Sequence, residues 1–260
     1  MKKYLLFICL GIACLYSCDE DDSDNNADST TIVGEQGILQ NLKQTNIDDS
    51  GFPWYNVHPQ ITDFVKLKSW NTSLDGLIPV KTGGYLLADQ ALDAIEEEVG
   101  RPLFDRQSIA NTPNDQISRG IIVSQGTALG AFGSTTDPNA CGHVSEGIGT
   151  TAYPFPIFNY EYDPDTGELI GYTLDDGWYD NTGNINTVLY VHIGAQSCQN
   201  PIGIDLVIHE FGHALGMGAH FEGFGFGPAV DGNFWNVLHT MYNNPTGTSE
   251  DDLSINQIKF

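Results

Sequence analysis

The run His209-Glu210-Phe211-Gly212-His213 constrains this chain more than any other stretch. On a helix, residues four apart share a face, so the imidazoles of His209 and His213 can close on one metal ion. Glu210 then stands about 100° further round the helix. From there its carboxylate reaches a water on the ion without ligating the ion itself, which is the position of a general base. Gly216 can take a positive φ, ending the helix and turning the chain so that His220 returns as a third nitrogen ligand. Three protein ligands leave a fourth position for water, as catalytic zinc requires. Glu222 competes for the third place, although its carboxylate would have to fold back past Phe221.

These residues resemble the signature of the metzincin clan of zinc endopeptidases, HExxHxxGxxH followed by a methionine turn. The second half of the signature is matched by Leu238-His239-Thr240-Met241-Tyr242-Asn243-Asn244-Pro245, which is similar to the xMYxxP turn of that clan. One spacing departs from the pattern: three residues, where the family has two, separate Gly216 from His220. A bulged loop of Met217-Gly218-Ala219, with Gly218 as a second unrestricted φ, would absorb the extra residue. The motif-bearing likeness covers residues 200–245.

The resemblance implies an α/β (α+β) catalytic domain with a twisted mixed sheet, an active-site helix and a small C-terminal subdomain. It implies zinc held by His209, His213 and His220, Glu210 as general base, Met241 beneath the metal, and a protein or peptide substrate. The substrate would lie extended against an antiparallel edge strand preceding the motif helix, placed here within residues 128–147. Tyr242 follows Met241 directly, one residue before the position of the metal-approaching tyrosine in astacin-like enzymes, and is expected to be packed. A reading from a different class stays open: a surface binding protein that keeps a structural or vestigial zinc and recognises a host polymer through its aromatics. The intact Glu210 argues for the enzyme, since a binding protein has no use for a carboxylate at that point.

The first residues set the compartment. Met1-Lys2-Lys3 is a basic start, and the apolar run 4–16 is too short to span a bilayer as a stable helix, so 1–17 reads as an export signal. Leu15-Tyr16-Ser17-Cys18 is similar to a bacterial lipobox, with Cys18 as the acylated residue and the membrane reached through that lipid anchor. The acidic stretch after Cys18 would stay solvated, so 18–35 reads as a tether. Such a run resembles a surface-export signal of Gram-negative lipoproteins and predicts an outer membrane lipoprotein on the cell surface. Residues 36–260 form the catalytic domain, with 36–75 as an N-terminal extension that processing could remove as a pro-segment.

Once the signal is removed and Cys18 carries lipid, Cys141 and Cys198 are the cysteines left. In an oxidising compartment they can form one disulfide, worth on the order of 4 kcal/mol in the chain-entropy model; two buried thiols are the other reading. Asp and Glu outnumber Lys and Arg by 34 to 10, a formal net charge of −24, which repels a nucleic-acid backbone over most of the surface. Nucleic acid is therefore not an expected partner.

Along the chain, 77–80 and 117–124 read as strands flanking an amphipathic helix over 88–99, a βαβ opening with a right-handed crossover. Residues 158–174 read as a hairpin turning at Asp163-Pro164-Asp165-Thr166-Gly167. Asp163 and Asp165, or Asp175, Asp176 and Asp180 beyond, could take Ca2+, although an acidic turn needs no ion. A strand over 187–193 feeds the motif helix, for which Asn200-Pro201 would serve as cap and first position. The Gly/aromatic segment 221–228 is expected to line the cleft, and 249–260 to form a last short helix capped by Ser249.

Overall fold

The computed structural model describes residues 31–47, 65–125, 141–145, 157–175, 178–194 and 202–260. Short β-branched runs build a five-stranded mixed sheet. Strands β1 (Ile78–Lys81), β2 (Phe104–Asp105), β3 (Gly120–Gln125) and β7 (Val188–Ile193) are parallel, and β4 (Gly142–Ser145) runs antiparallel to β7. The order is β2-β1-β3-β7-β4, so β4 is an end strand of this sheet among the described residues. Leu189, Val191 and Ile193 of β7 share one buried face, as the two-residue period of a strand requires, and His192 on the other face is buried as well. The fold is thus mixed α/β, as the sequence predicts.

Between β1 and β3 runs helix α2 (Leu86–Val99), following helix α1 (Glu35–Leu42) and a one-turn helix, Thr72–Asp75. Ala88, Ala91, Leu92, Ile95 and Val99 form its buried stripe at helical spacing. Helix α3 (Ile204–Ala214) carries the His-Glu motif and packs on α2, β7 and β4. Its cap differs from the expected one. The helix begins at Ile204, with Gly203 extended at the N-cap and no side-chain cap, while Asn200 and Pro201 lie outside the described residues.

Helix α4 (Gly232–Asn243) replaces the turn expected around Met241. Asp231 caps it by accepting from the backbone N–H groups of Asn233 and Phe234, and Phe234, Val237, Leu238, Met241 and Tyr242 recur at helical spacing. The helix stops at Asn244 because Pro245 disfavours a helical residue before it. The expected C-terminal helix is reduced to a single 3-10 turn, Glu250–Asp252. Beyond it the chain has no regular secondary structure, and the N–H groups of Ile258 and Lys259 both donate to Asn236 Oδ1 on α4 at 2.8 Å.

Strands β5 (Ile157–Tyr162) and β6 (Leu169–Asp175) form the expected hairpin. After the motif helix, β8 (Phe221–Glu222) and β9 (Gly225–Phe226) make a small loop structure. Ile38, Leu42, Ile47, Leu67 and Trp70 belong to the same buried core as α2, α3 and α4, each at 0–1 % exposure. Full burial of side chains this size stabilises by about 1.5–3 kcal/mol apiece, so the described parts of the N-terminal extension are structural members of the domain.

Candidate metal centre

Helix α3 is nearly enclosed: eight of its 11 residues are buried, among them His209 and Glu210 at 2 % and 1 % exposure. That burial fixes the rotamers of the motif side chains. The Nε2 atoms of His209, His213 and His220 form a near-equilateral triangle with edges of 3.1, 3.2 and 3.2 Å. Two nitrogens bound to one tetrahedral ion at zinc distances stand about 3.3 Å apart. The triangle is therefore already at ligand spacing.

Proton positions follow from the partners. His209 Nδ1 lies 3.0 Å from the carbonyl of Ala229, and His213 Nδ1 lies 2.7 Å from the carbonyl of Met217. A carbonyl only accepts, so both Nδ1 atoms carry hydrogen and both Nε2 atoms present lone pairs to the centre of the triangle. Burial, then the charge of His220, pulls His209 down to about 3, and burial lowers His220 to about 4. His213 is pulled well below its ordinary value by burial, then by the charges of His209 and His220. Protons are thus a poor occupant at neutral pH, and converging lone pairs call for a cation. These three residues could hold a metal ion, and they are the one such group among the described residues.

His220 is the third member of this group. Glu222, the rival, is exposed on β8 and lies outside the group. Gly216 takes φ +109°, and a Cβ there would meet the Lys68 carbonyl oxygen at 2.9 Å, so conformation and space both require glycine. Gly218, expected to supply a second such residue, does not take a positive φ. Instead its N–H donates to the Thr45 carbonyl at 2.7 Å.

Phe224 forms the floor. Its ring centroid lies 4.5 Å from His209, 4.9 Å from His213 and 5.5 Å from His220. A Cβ at Gly212 would come 3.1 Å from this ring and 2.7 Å from that of Phe234, which is why the motif carries glycine between its histidines. The resemblance places Met241 beneath the metal. Met241 is a fully buried residue of α4, and Phe224 is a ring packed against all three histidines. Tyr242 is packed, its hydroxyl donating to the Leu215 carbonyl at 3.0 Å. Burial raises its pKa far above the ordinary phenol value.

Glu210 faces β4, where its carboxylate lies against Gly142. The described part of the 128–147 stretch is this β4 strand, which ends the sheet beside the motif helix. His143, one residue on, stacks with His192 at 6.0 Å between centroids and is not part of the metal group.

Asp163 and Asp180, candidates for Ca2+, use Oδ1 to tie their own turns. Asp163 accepts from the N–H groups of Asp165 and Thr166, and Asp180 from those of Thr182 and Asn184. Cys141 is disulfide-bonded. Cys198, the lipobox Cys18 and the leader lie outside the described residues. No helix of the described residues is long and apolar enough to cross a membrane. Comparison with known proteins finds no matching protein-family model, no matching curated protein and no matching solved structure.

Proposed function

We propose that this chain is an exported, lipid-anchored zinc metalloendopeptidase of metzincin type. The observation that carries the reading is the pairing of the three-nitrogen triangle with Glu210, a buried carboxylate on the residue after the first ligand, turned toward an end strand of the sheet. Imidazole nitrogens suit several transition metals, and an all-nitrogen set of three is one that catalytic zinc uses. Bound zinc supplies Lewis acidity toward a water and a peptide carbonyl. Glu210 takes the proton of that water and returns it to the leaving amine. The buried helix holds Glu210 in one place, and in this reading the extended peptide lies along β4, an end strand among the described residues, as in strand addition.

Peptide-library digestion by zinc-loaded protein, repeated with a chelator and again after zinc is restored, tests the activity. Cleavage should disappear and return. A zinc-loaded protein that cleaves no peptide or unfolded protein would support the surface binding protein instead. For the anchor, native protein should partition into detergent and Cys18→Ala into water; identical partitioning would remove the lipid from the account.

A further inference from the structure

The loop between the second and third histidines is bonded partly within itself, Gly216 N–H donating to the His213 carbonyl and Met217 N–H to that of Gly212. Three further hydrogen bonds join it to a segment about 170 residues earlier in the chain, where α1 is followed by a π turn, Lys43–Ile47. Gln44 Nε2 donates to the His220 carbonyl at 2.6 Å, the Thr45 carbonyl accepts from Gly218 N–H at 2.7 Å, and Asn46 Nδ2 donates to the Gly216 carbonyl at 2.7 Å. Three consecutive residues thus bind Gly216, Gly218 and His220, alternate positions of the loop that contains the extra residue.

The clamp is itself held firmly. Asn46 is 2 % exposed, and its amide also donates to the Lys68 carbonyl at 2.8 Å while its Oδ1 accepts from Lys68 N–H at 2.9 Å. The carbonyls of Asn46 and Ile47 accept from Lys68 Nζ, at 2.7 and 3.0 Å. Trp70 Nε1 donates to the Ala214 carbonyl at 2.8 Å, fixing the point where the loop leaves the helix. π turns inside helices recur at functional sites, and this one lets three successive residues address one loop.

We propose that Gln44, Thr45 and Asn46 are positioning residues for the third metal ligand, so that this N-terminal segment is a permanent part of the metal centre and not a removable pro-segment. The inference rests on the reading that the three histidines bind zinc. The Gly216–His220 loop, one residue longer than the family pattern, reaches its geometry by being bound from outside.

The test measures zinc affinity by competition with a chromophoric chelator, and the visible spectrum of the cobalt-substituted protein, for the full chain and its Gln44→Met, Gln44→Lys and Asn46→Ala variants. Gln44→Met keeps length and bulk without a donor. It should weaken zinc binding roughly 10- to 100-fold, as loss of a group that orients a ligand does, and dim the cobalt bands of a four-coordinate site, with metal-free unfolding nearly unchanged. Gln44→Lys restores a donor and should recover most of the affinity. Asn46→Ala should weaken binding further; if it fails to fold, the two Gln44 variants still decide. Wild-type affinity and spectrum in Gln44→Met would overturn the clamp while leaving the zinc reading intact. A wild-type protein that binds no zinc would overturn both.

Discussion

A Cβ atom added to Gly142 would overlap the carboxylate of Glu210. The two residues are far apart in sequence, yet β4 lies on the motif helix closely enough that the only side chain fitting at position 142 is none. This contact makes the strand a wall that sets where the carboxylate stands. Gly142→Ala should therefore displace Glu210, lowering kcat/KM for peptide hydrolysis roughly 100-fold while zinc content stays at the wild-type level. Kinetics with metal analysis on the same samples checks this, and unchanged kcat/KM would show that Glu210 has room to move.

The third ligand separates two candidates by one comparison. His220→Ala should weaken zinc binding by more than about 100-fold, beyond what the loss of a merely orienting group costs, while Glu222→Ala should change it little. Competition with a chelator of known affinity gives both values, and the opposite order would move the ligand to Glu222.

Phe224 touches all three histidines, Phe221 and Phe234. Phe224→Ala leaves a cavity beneath the centre and should destabilise the metal-free protein by about 3–5 kcal/mol, with weaker zinc binding as the rings gain freedom. Urea unfolding measures the first effect. A loss under about 1 kcal/mol would mean that the site collapses to fill the space.

Acid should act on the metal-free protein through the same histidines. Burial pulls His209 down to about 3 and His220 to about 4 in the folded state, and holds His213 well below its ordinary value. In the unfolded chain these groups titrate at about 6.5. Between these limits the unfolded state binds more protons, so stability is full above pH about 6.5 and falls as pH drops toward about 3. Tm of chelator-treated protein should fall over that window, and less steeply in His220→Gln. Parallel profiles for the two would contradict the burial of neutral histidines.

What could be read from sequence follows the distance over which each signal acts. His209, Glu210 and His213 are legible because one helical turn decides their relation, and Gly216 because the chain must turn there. Helix α4 was equally readable: Asp231 is a capping residue, and Phe234, Val237, Leu238 and Met241 keep helical spacing. Residues 238–243 of the stretch similar to a methionine turn belong to this helix. Ser249 does stand at an N-cap position, but of a single 3-10 turn, because the backbone N–H groups of Ser254, Asn256, Ile258 and Lys259 donate to side chains of Asn244, Thr240 and Asn236.

The floor and the clamp had no local signature. Phe224 sits in a glycine-rich loop whose composition says only that it turns, and its place under the histidines depends on Gly212 and Phe234 making room. Gln44 and Asn46 act across 176 and 170 residues, respectively. Short polar residues near a helix end carry no sign of such partners.

The central claim is that Glu210 performs chemistry on a zinc site that it does not help to hold. Peptide hydrolysis by zinc-loaded Glu210→Ala, compared with wild type at equal zinc content, tests this directly. The account predicts a folded protein with full zinc and hydrolysis reduced at least about 100-fold. Hydrolysis at the wild-type rate would contradict it.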